Sequence, residues 1–452
     1  MTPPVTTTAT YERTTPGRRR LGPTASLALL ASIIVSLLAA SSAPTPLYAV
    51  YQREWGFSPI TTTVVFGVYA IAVLAALLVF GKLSDHVGRR PVLLAALAGQ
   101  AVATLVFASA GSVSALMAGR VVQGVATGAA LGALGAGLLD IDRVRGAVAN
   151  SVAPATGTAT GALASGLIVQ FLPAPTHLVY LVLFTVFALQ ALGVAALRES
   201  VTRKPGALAS MVPEFGLPRP TRRAVAIAMP VLFAVWALAG FYGSLGPALT
   251  AQLVHSHAVV YGGLGLFTLA GAAAVAAILL RNVPTRTVMA AGVSTLIAGV
   301  AITLLSIGSG GGGAASVTGF FAGTAVAGFG FGAGFQGGIR LVVPLAQPHE
   351  RAGLLSLLYV VSYLGMGGPA VLGGVLVVHG GGLLDTAREY GAAVIVLAAV
   401  ALVGLLLDRR TPRAAAGMVV AGSVREQEDL RAEGVREPAD VREPVRAMRA
   451  ER

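Results

Sequence analysis

The amino-acid sequence predicts an all-α membrane protein with twelve transmembrane helices in two pseudo-symmetric bundles of six. Three observations lead to this fold class. First, 55% of the 452 residues are hydrophobic and only 11% are charged, whereas about a quarter of the residues in soluble domains are charged. Second, Asp, Glu, Lys and Arg are absent from runs long enough for a membrane-spanning helix, which needs about 20 apolar residues. Third, basic residues collect in every second gap between those runs.

The charge-free runs give the number of helices. Six runs fit one helix each: 21–52, 55–81, 91–119, 121–139, 352–384 and 390–407. Three longer runs fit two helices each, joined by an uncharged turn: 146–197, 224–280 and 287–339. Pro, Gly, His and Ser residues near the middle of the longer runs supply the turns. Six single helices and three pairs predict twelve spans.

The distribution of basic residues predicts the orientation. With the N-terminus inside the cell, all but three of the 32 Lys and Arg residues fall on the cytoplasmic side. The exceptions are Arg53 and Arg388 outside and Arg120 within the membrane. We therefore expect a multi-pass plasma-membrane protein with both termini in the cytoplasm. A cleaved signal peptide is the alternative for the first helix, but that apolar run is longer than the roughly 7–15 residues of a signal peptide core.

A polar stretch after the sixth helix divides the chain into two halves. We expect a disordered cytoplasmic tail at 1–24, a six-helix half at 25–200, a cytoplasmic loop at 201–222, a second half at 223–408 and a second disordered tail at 409–452. Internal repetition supports the division, because residues 118–132 and 322–336 align with six identities in fifteen positions. The two segments belong to the fourth and tenth helices.

Composition and motif context exclude several kinds of site. The chain has no cysteine, so it forms no disulfide, thiolate metal site or iron–sulfur cluster. The net charge of +13 belongs to one side of a membrane and does not indicate a nucleic-acid partner. A glycine run at 308–313 lacks the Gly-Lys-Ser/Thr of a phosphate loop, and GAGFQG at 332–337 follows no strand. We expect no metal, no cofactor and no enzymatic activity.

The sequence GKLSDHVGRRP occupies residues 81–91, between the second and third predicted helices. It resembles the cytoplasmic loop signature of the major facilitator superfamily, Gly-x-Leu-Ala-Asp-Arg-x-Gly-Arg-Arg/Lys. The resemblance implies a transporter whose halves are clamped together by this loop when the protein is open to the outside. The residues that carry this conformational switch are Gly81, Asp85, His86, Gly88, Arg89 and Arg90. His86 replaces the usual basic residue, so we expect its contact to be sensitive to pH.

A second motif extends the resemblance into the fourth helix. RVVQG at 120–124 matches the family's Arg-x-x-Gln-Gly, whose arginine is implicated in proton linkage in proton-coupled members. Arg120 and Gln123 are therefore the candidates for proton coupling. An arginine among apolar residues is costly in a bilayer and should face a wet cavity or a polar partner. The alternative is that Arg120 only hydrogen-bonds carbonyl groups of nearby helices.

The fifth helix carries a modified motif. GTATGALASG at 157–166 keeps the spacing of the family's antiporter signature, Gly-x-x-x-Gly-Pro-x-x-Gly-Gly, but Ala162 and Ser165 replace a proline and a glycine. These replacements weaken the inference of antiport. The eleventh helix has a proline and glycines that predict a comparable kink. The expected packing and kink residues are Gly157, Gly161, Gly166, Gly368 and Pro369.

No Asp or Glu lies at the middle of a predicted span, so recognition of a cargo must depend on aromatic, hydroxyl and amide groups. The candidates are Tyr48, Tyr69, Asn150, Trp236, Tyr242, Gln336, Tyr359 and Tyr363. For each of them, core packing or interfacial anchoring is an equally good interpretation.

Together with this apolar set, the resemblance predicts a secondary transporter. We expect a monomer that exports a hydrophobic or neutral small molecule, with the lipid bilayer, its substrate and protons as partners and no nucleic acid. Uptake of a neutral metabolite or an organic anion is the alternative. A receptor or scaffold that transports nothing is a third.

Overall fold

A computed structural model describes residues 21–256, 258–308, 313–347 and 349–408. Within these ranges twelve helices are long and apolar enough to cross a membrane, which confirms the predicted number. They are α1 (Pro23–Trp55), α2 (Pro59–Phe80), α3 (Arg89–Ala108), α4 (Val113–Ile141), α5 (Arg143–Phe171), α6 (Pro175–Ala195), α7 (Arg222–Ser244), α8 (Val259–Leu279), α9 (Thr285–Gly308), α10 (Ala314–Val342), α11 (Arg351–His379) and α12 (Gly382–Leu407). Most of the two expected tails, His257 and the glycines at 310–312 lie outside the described residues.

The connections lie alternately at two ends of the bundle, because consecutive helices run in opposite directions. The basic end carries the connections 81–88, 142, 196–221, 280–284 and 343–350, and the far end carries the others. Four of the five connections at the basic end contain Lys or Arg or are flanked by them on both sides. The two ends therefore differ in charge as the sequence predicts.

Helix α12 extends beyond its charge-free run. The run begins at residue 390, but the helix begins at Gly382, so Asp385, Arg388 and Glu389 lie in its first turns. Arg388 donates a hydrogen bond to Asp385 at 2.7 Å. Charged side chains near the end of a span reach the membrane surface and need not end the helix.

Helices α4 and α10 carry the predicted internal repeat, and they pack in the same way. Gly124 and Gly128 of α4 lie against the backbone of α2, where a Cβ atom would come closer than 3.0 Å to neighbouring atoms. Gly328 and Gly332 of α10 lie in the same manner against α8. Helix α8 follows α2 by six helices, so the repeat in sequence corresponds to a repeat in packing. Only glycine allows such close approach of two backbones.

The two halves contact each other on the far-end side of mid-depth. Gly67 of α2 faces Val371 of α11, and Gly374 of α11 lies against α2 one turn closer to the far end. On the opposite side of the bundle, the Gln170 side chain of α5 accepts the backbone N–H of Val259 in α8 at 2.9 Å. These contacts join the two halves on the far-end side.

Candidate functional site

Arg120 of α4 is completely buried. Its Nε and Nη2 atoms donate to the Tyr48 hydroxyl at 3.0 and 2.6 Å, and Nη1 donates to the Ser41 carbonyl at 2.9 Å and to Gln123 Oε1 at 2.7 Å. Each of these acceptors is neutral. The guanidinium therefore uses four of the five N–H bonds that an arginine offers, three of them to α1 and one within α4.

A break in α1 explains why these donors are needed. Helix α1 consists of the segments Pro23–Ser42 and Pro44–Trp55. Pro44 has no N–H, so the Ala40 carbonyl loses its partner four residues along the helix. Gln123 Nε2 donates to that carbonyl at 2.9 Å. Arg120 donates to the next carbonyl along the helix, that of Ser41. Because an unpaired buried carbonyl is costly, the two side chains of α4 stabilise the break as a unit.

Aromatic rings surround the charge of Arg120. Its guanidinium carbon lies 5.1 Å from the ring centre of Tyr69, 5.7 Å from that of Tyr48 and 5.9 Å from that of Phe107. Contacts at such distances stabilise a desolvated cation. The buried charge is thus held by ring faces and neutral acceptors, and this arrangement agrees with the expectation that Arg120 has polar partners.

A second group of side chains lies at mid-depth between the halves. The ring centre of Trp236 in α7 is 5.4 Å from that of Tyr363 in α11 and 6.1 and 5.8 Å from those of Phe331 and Phe335 in α10. Trp236 and Tyr363 also pack against a buried group that includes Tyr69 of α2. We call these five residues the aromatic cluster. Its Tyr69 is also the ring nearest to the Arg120 guanidinium.

Three of the predicted cavity residues make hydrogen bonds within their own half. Tyr48 binds Arg120, as described above. The Tyr242 hydroxyl is buried and hydrogen-bonded to Thr324 Oγ1 at 2.7 Å. Asn150 Nδ2 donates to the Gly135 carbonyl at 3.0 Å and joins α5 to α4. In this conformation these three side chains are engaged in packing within a half.

Two further candidates lie near the aromatic cluster, and two members of it were not predicted. Tyr359, one helical turn before Tyr363, is 36% exposed. Gln336 follows Phe335 and donates weakly to the Ala277 carbonyl at 3.4 Å. Sequence reasoning missed Phe331 and Phe335. Their spacing of four residues puts them on one face of α10, a signal that the glycine-rich context obscured.

Arg89 organises the loop at 81–91. Its side chain forms an ion pair with Asp85, donates to Ser84 Oγ at 2.7 Å and reaches Asp140 at the end of α4 at 3.3 Å. The contacts of this side chain therefore lie within the loop and the first half of the protein.

Glu199, which follows α6, caps the start of α3. Its carboxylate accepts the backbone N–H groups of Arg89 and Arg90 at 2.8 and 3.0 Å, where a negative charge is favoured by the helix dipole. Gly88 has a φ of 104°, and a Cβ there would collide with the same carboxylate. A Cβ at Gly132 of α4 would collide with the backbone of Gly81, so that contact explains the glycine of α4. Gly88 is required by its own φ and by the Glu199 carboxylate.

The segment between the halves runs alongside this loop. His86 Nδ1 lies 3.1 Å from the Pro205 carbonyl, the backbone N–H of Lys204 donates to the His86 carbonyl at 2.9 Å, and Lys82 forms an ion pair with Glu214. The predicted switch loop is therefore joined to the inter-half segment.

The predicted packing glycines divide into two sets. Gly157 and Gly161 lie against the backbone of α1, and Gly166 lies against α8 of the other half. A Cβ at Gly368 would meet no atom within 4 Å, and Pro369 is inside α11. The glycines of α5 thus serve close packing, whereas Gly368 does not.

In the described ranges, the Asp and Glu residues lie in connections or in the end turns of helices. The same residues contain no group of three or more His, Cys, Asp or Glu that could hold a metal ion. The functional groups that the described residues offer inside the membrane are therefore aromatic rings, hydroxyls, amides and one guanidinium.

Twelve membrane-spanning helices in two repeated halves, with an aromatic site between them at mid-depth, define the class of membrane transporters built on two inverted or repeated bundles. The model of the Major Facilitator Superfamily matches residues 28–318. The chain belongs to this superfamily and is a membrane transporter, which confirms the resemblance seen in the loop signature.

Two comparisons with individual proteins agree with the family. A crystal structure of the nucleoside transporter NupG superposes with a TM-score of 0.66 over 85% of this chain and all of that one, at 13% sequence identity. A triacylglyceride transporter of Mycobacteroides abscessus is 43% identical over 70 residues. That match covers 16% of this chain and only 13% of the relative's own length.

Proposed function

We propose that the protein is a secondary active transporter that exports a hydrophobic, neutral small molecule by alternating access, in exchange for protons. The observation that carries this proposal is the aromatic cluster. Both halves contribute to it, it lies at mid-depth, and its side chains carry no charge. A site between two bundles that rock about it is the arrangement from which alternating access works.

The charge of the two ends supports the proposed orientation. Because basic residues collect at one end of the bundle, the positive-inside rule favours a cytoplasmic position for that end. We propose that the protein is a monomer in the plasma membrane. The proposed direction, export, rests on the neutral and apolar character of the aromatic cluster.

Arg120 supports the coupling to protons. Its guanidinium lies over the ring of Tyr69, which is also a member of the aromatic cluster. A change in the hydrogen bonds of Arg120 would therefore move a ring that the cargo would touch. We propose that the guanidinium stays charged and that a proton-driven change in its hydrogen bonds shifts the balance between the two conformations.

Uptake of an organic anion is the weaker alternative. An anion would need a guanidinium with free N–H groups, and four of the five N–H bonds of Arg120 are already engaged. The name of the mycobacterial relative indicates a neutral and strongly apolar cargo for that protein, and this favours a cargo of the same character here.

Flux in proteoliposomes tests the proposal. Purified protein would be reconstituted and loaded with Nile red, a neutral lipophilic dye, and dye movement would be followed with a pH gradient imposed in each direction. We expect flux that reverses its preference with the gradient. Flux that ignores the gradient would remove the proton-exchange part, and no protein-dependent flux would remove the apolar cargo.

Two variants connect the flux to the residues. Replacing Arg120 with Lys or Asp85 with Asn should abolish flux while both variants still insert into the membrane. Unchanged flux in either variant would exclude that residue from the mechanism.

A further inference from the structure

We propose that the indole N–H of Trp236 is a specificity-determining hydrogen-bond donor. The cargo would then be an apolar molecule that carries a neutral acceptor such as a carbonyl, ester or ether oxygen. This inference rests on the proposed function and names the cargo class of the aromatic cluster.

The surroundings of Trp236 carry the argument. Its Nε1 atom is buried and has no hydrogen-bond partner among the described residues. The groups packed around the indole are the rings of Phe331, Phe335 and Tyr363, two of them edge-on. A buried tryptophan N–H normally has a partner, and an unpaired one destabilises the state that buries it.

The chemistry of the donor limits what can pair with it. An indole N–H only donates, so a partner must supply an acceptor. A cargo that offers only donors leaves the indole unpaired. An anionic acceptor would lose its hydration without gaining a cation as partner, because Arg120 is buried and hydrogen-bonded within its own network. The desolvation cost therefore disfavours an anion. A neutral oxygen on an apolar body fits both the rings and the donor.

The position of Trp236 connects this donor to the transport cycle. The indole packs against a buried group that combines Tyr69 and other residues of α2, from the other half, with Met366 and Ala370 of α11. Closing the halves without cargo buries the N–H unpaired, whereas closing them around an acceptor buries it paired. A ligand shifts a conformational equilibrium by its difference in affinity for the two states. An acceptor-bearing cargo therefore favours closure more than a cargo of the same shape without the acceptor.

A matched pair of probes tests the donor. Benzophenone and diphenylmethane have nearly the same shape, but only the first has a carbonyl oxygen. Binding to the full-length protein in nanodiscs would be measured from the shift in unfolding temperature with probe concentration. We expect benzophenone to bind about five- to tenfold more tightly, the effect of one buried hydrogen bond, with a lowered carbonyl stretching frequency in the infrared spectrum.

Two tryptophan variants serve as test and control. Trp236→Phe keeps an aromatic ring and removes the donor, so the two probes should bind equally and the frequency shift should disappear. Trp55→Phe replaces the other of the two tryptophans, at the far end of α1, and should leave the preference unchanged. If Trp236→Phe unfolds, the frequency shift in wild-type protein still decides the question.

Several outcomes would overturn the inference. They are equal binding of the two probes to wild-type protein, binding of neither probe, or a carbonyl preference that persists in Trp236→Phe. Nile red flux distinguishes this failure from failure of the proposed function. Flux that persists without any acceptor preference removes only the role of Trp236, whereas absence of flux removes the function on which it rests.

Discussion

Helices α4 and α10 occupy equivalent places in the two halves, but the side chains that face their neighbouring broken helices differ. Arg120 of α4 donates to Tyr48 of α1. At the aligned position of α10 stands Thr324, whose hydroxyl is bonded to Tyr242 of α7 at 2.7 Å. Helix α7, like α1, is interrupted, and the following segment Gly246–Val254 has a proline in its first turn.

This difference shows that the two halves pack their helices in the same way but carry different functional side chains. Glycines preserve the close contact of α4 with α2 and of α10 with α8. The first half places a buried cation beside its broken helix, and the second half supplies most of the aromatic cluster, including Trp236. One half thus holds the buried charge and the other holds most of the aromatic cluster, and Tyr69 lies where they meet.

The largest expected effect comes from removing the cation. Arg120→Met should lower the free energy of unfolding by about 3–5 kcal/mol, because it leaves the Tyr48, Ser41 and Gln123 acceptors without a donor and each unsatisfied buried group costs about 1–3 kcal/mol. Thr324→Val in the second half should lower it by about 1 kcal/mol, the value of one neutral hydrogen bond. Equilibrium unfolding in bicelles measures both, and equal losses would contradict the proposed asymmetry.

The glycine contacts should respond alike in the two halves. Gly128→Ala and Gly332→Ala each place a Cβ against backbone atoms, so each should lower the free energy of unfolding by about 2 kcal/mol through overpacking. Gly271→Ala, where no atom lies within 4 Å of the added Cβ, is the control. Thermal unfolding measures the stability of all three variants. If only one of the first two is destabilised, the two glycine contacts pack alike but do not contribute equally to stability.

Deleting the two tyrosine hydroxyls separates charged from neutral hydrogen bonds. Tyr48→Phe leaves two N–H groups of Arg120 without an acceptor and should lower the free energy of unfolding by about 1.5–3 kcal/mol. Tyr242→Phe should lower it by about 0.5–1 kcal/mol, because Thr324 still donates to the Phe320 carbonyl at 2.7 Å. The same unfolding assay applies, and the reverse order would refute the assignment.

The smallest effect is expected at the basic end. Asp140 holds Arg89 of the first half at 3.3 Å, whereas Arg340 of the second half donates to the carbonyls of Leu280 and Arg281 at 3.2 and 2.8 Å. Because such partly exposed pairs contribute little, Asp140→Asn and Arg340→Gln should each change the free energy of unfolding by less than about 1 kcal/mol. A larger loss in either variant would mean that its contact at the basic end is a main support of the folded structure.

Much of the fold and part of the site could be predicted from the sequence. The twelve spans follow from missing charges, and Arg120 is conspicuous because a charge in an apolar run demands a partner. The start of α12 at Gly382 could not be read from the missing charges, because charges near a membrane surface do not end a helix. Phe331 and Phe335 were missed because a phenylalanine in an apolar helix looks the same whether it faces lipid, core or cargo.

The sequence by itself determined the number of spans, the division into halves, the family signature and the buried cation, because each depends on local composition or on spacing along one helix. Only the tertiary structure decided that Arg120 and Gln123 supply donors to the carbonyls released at Pro44. It alone brought Trp236 to Tyr363 and left its N–H unpaired. The physical reason is that hydrogen-bond partners and ring contacts between helices depend on how the helices are rotated and how closely they approach. In a membrane these are set by small-residue packing across the whole bundle.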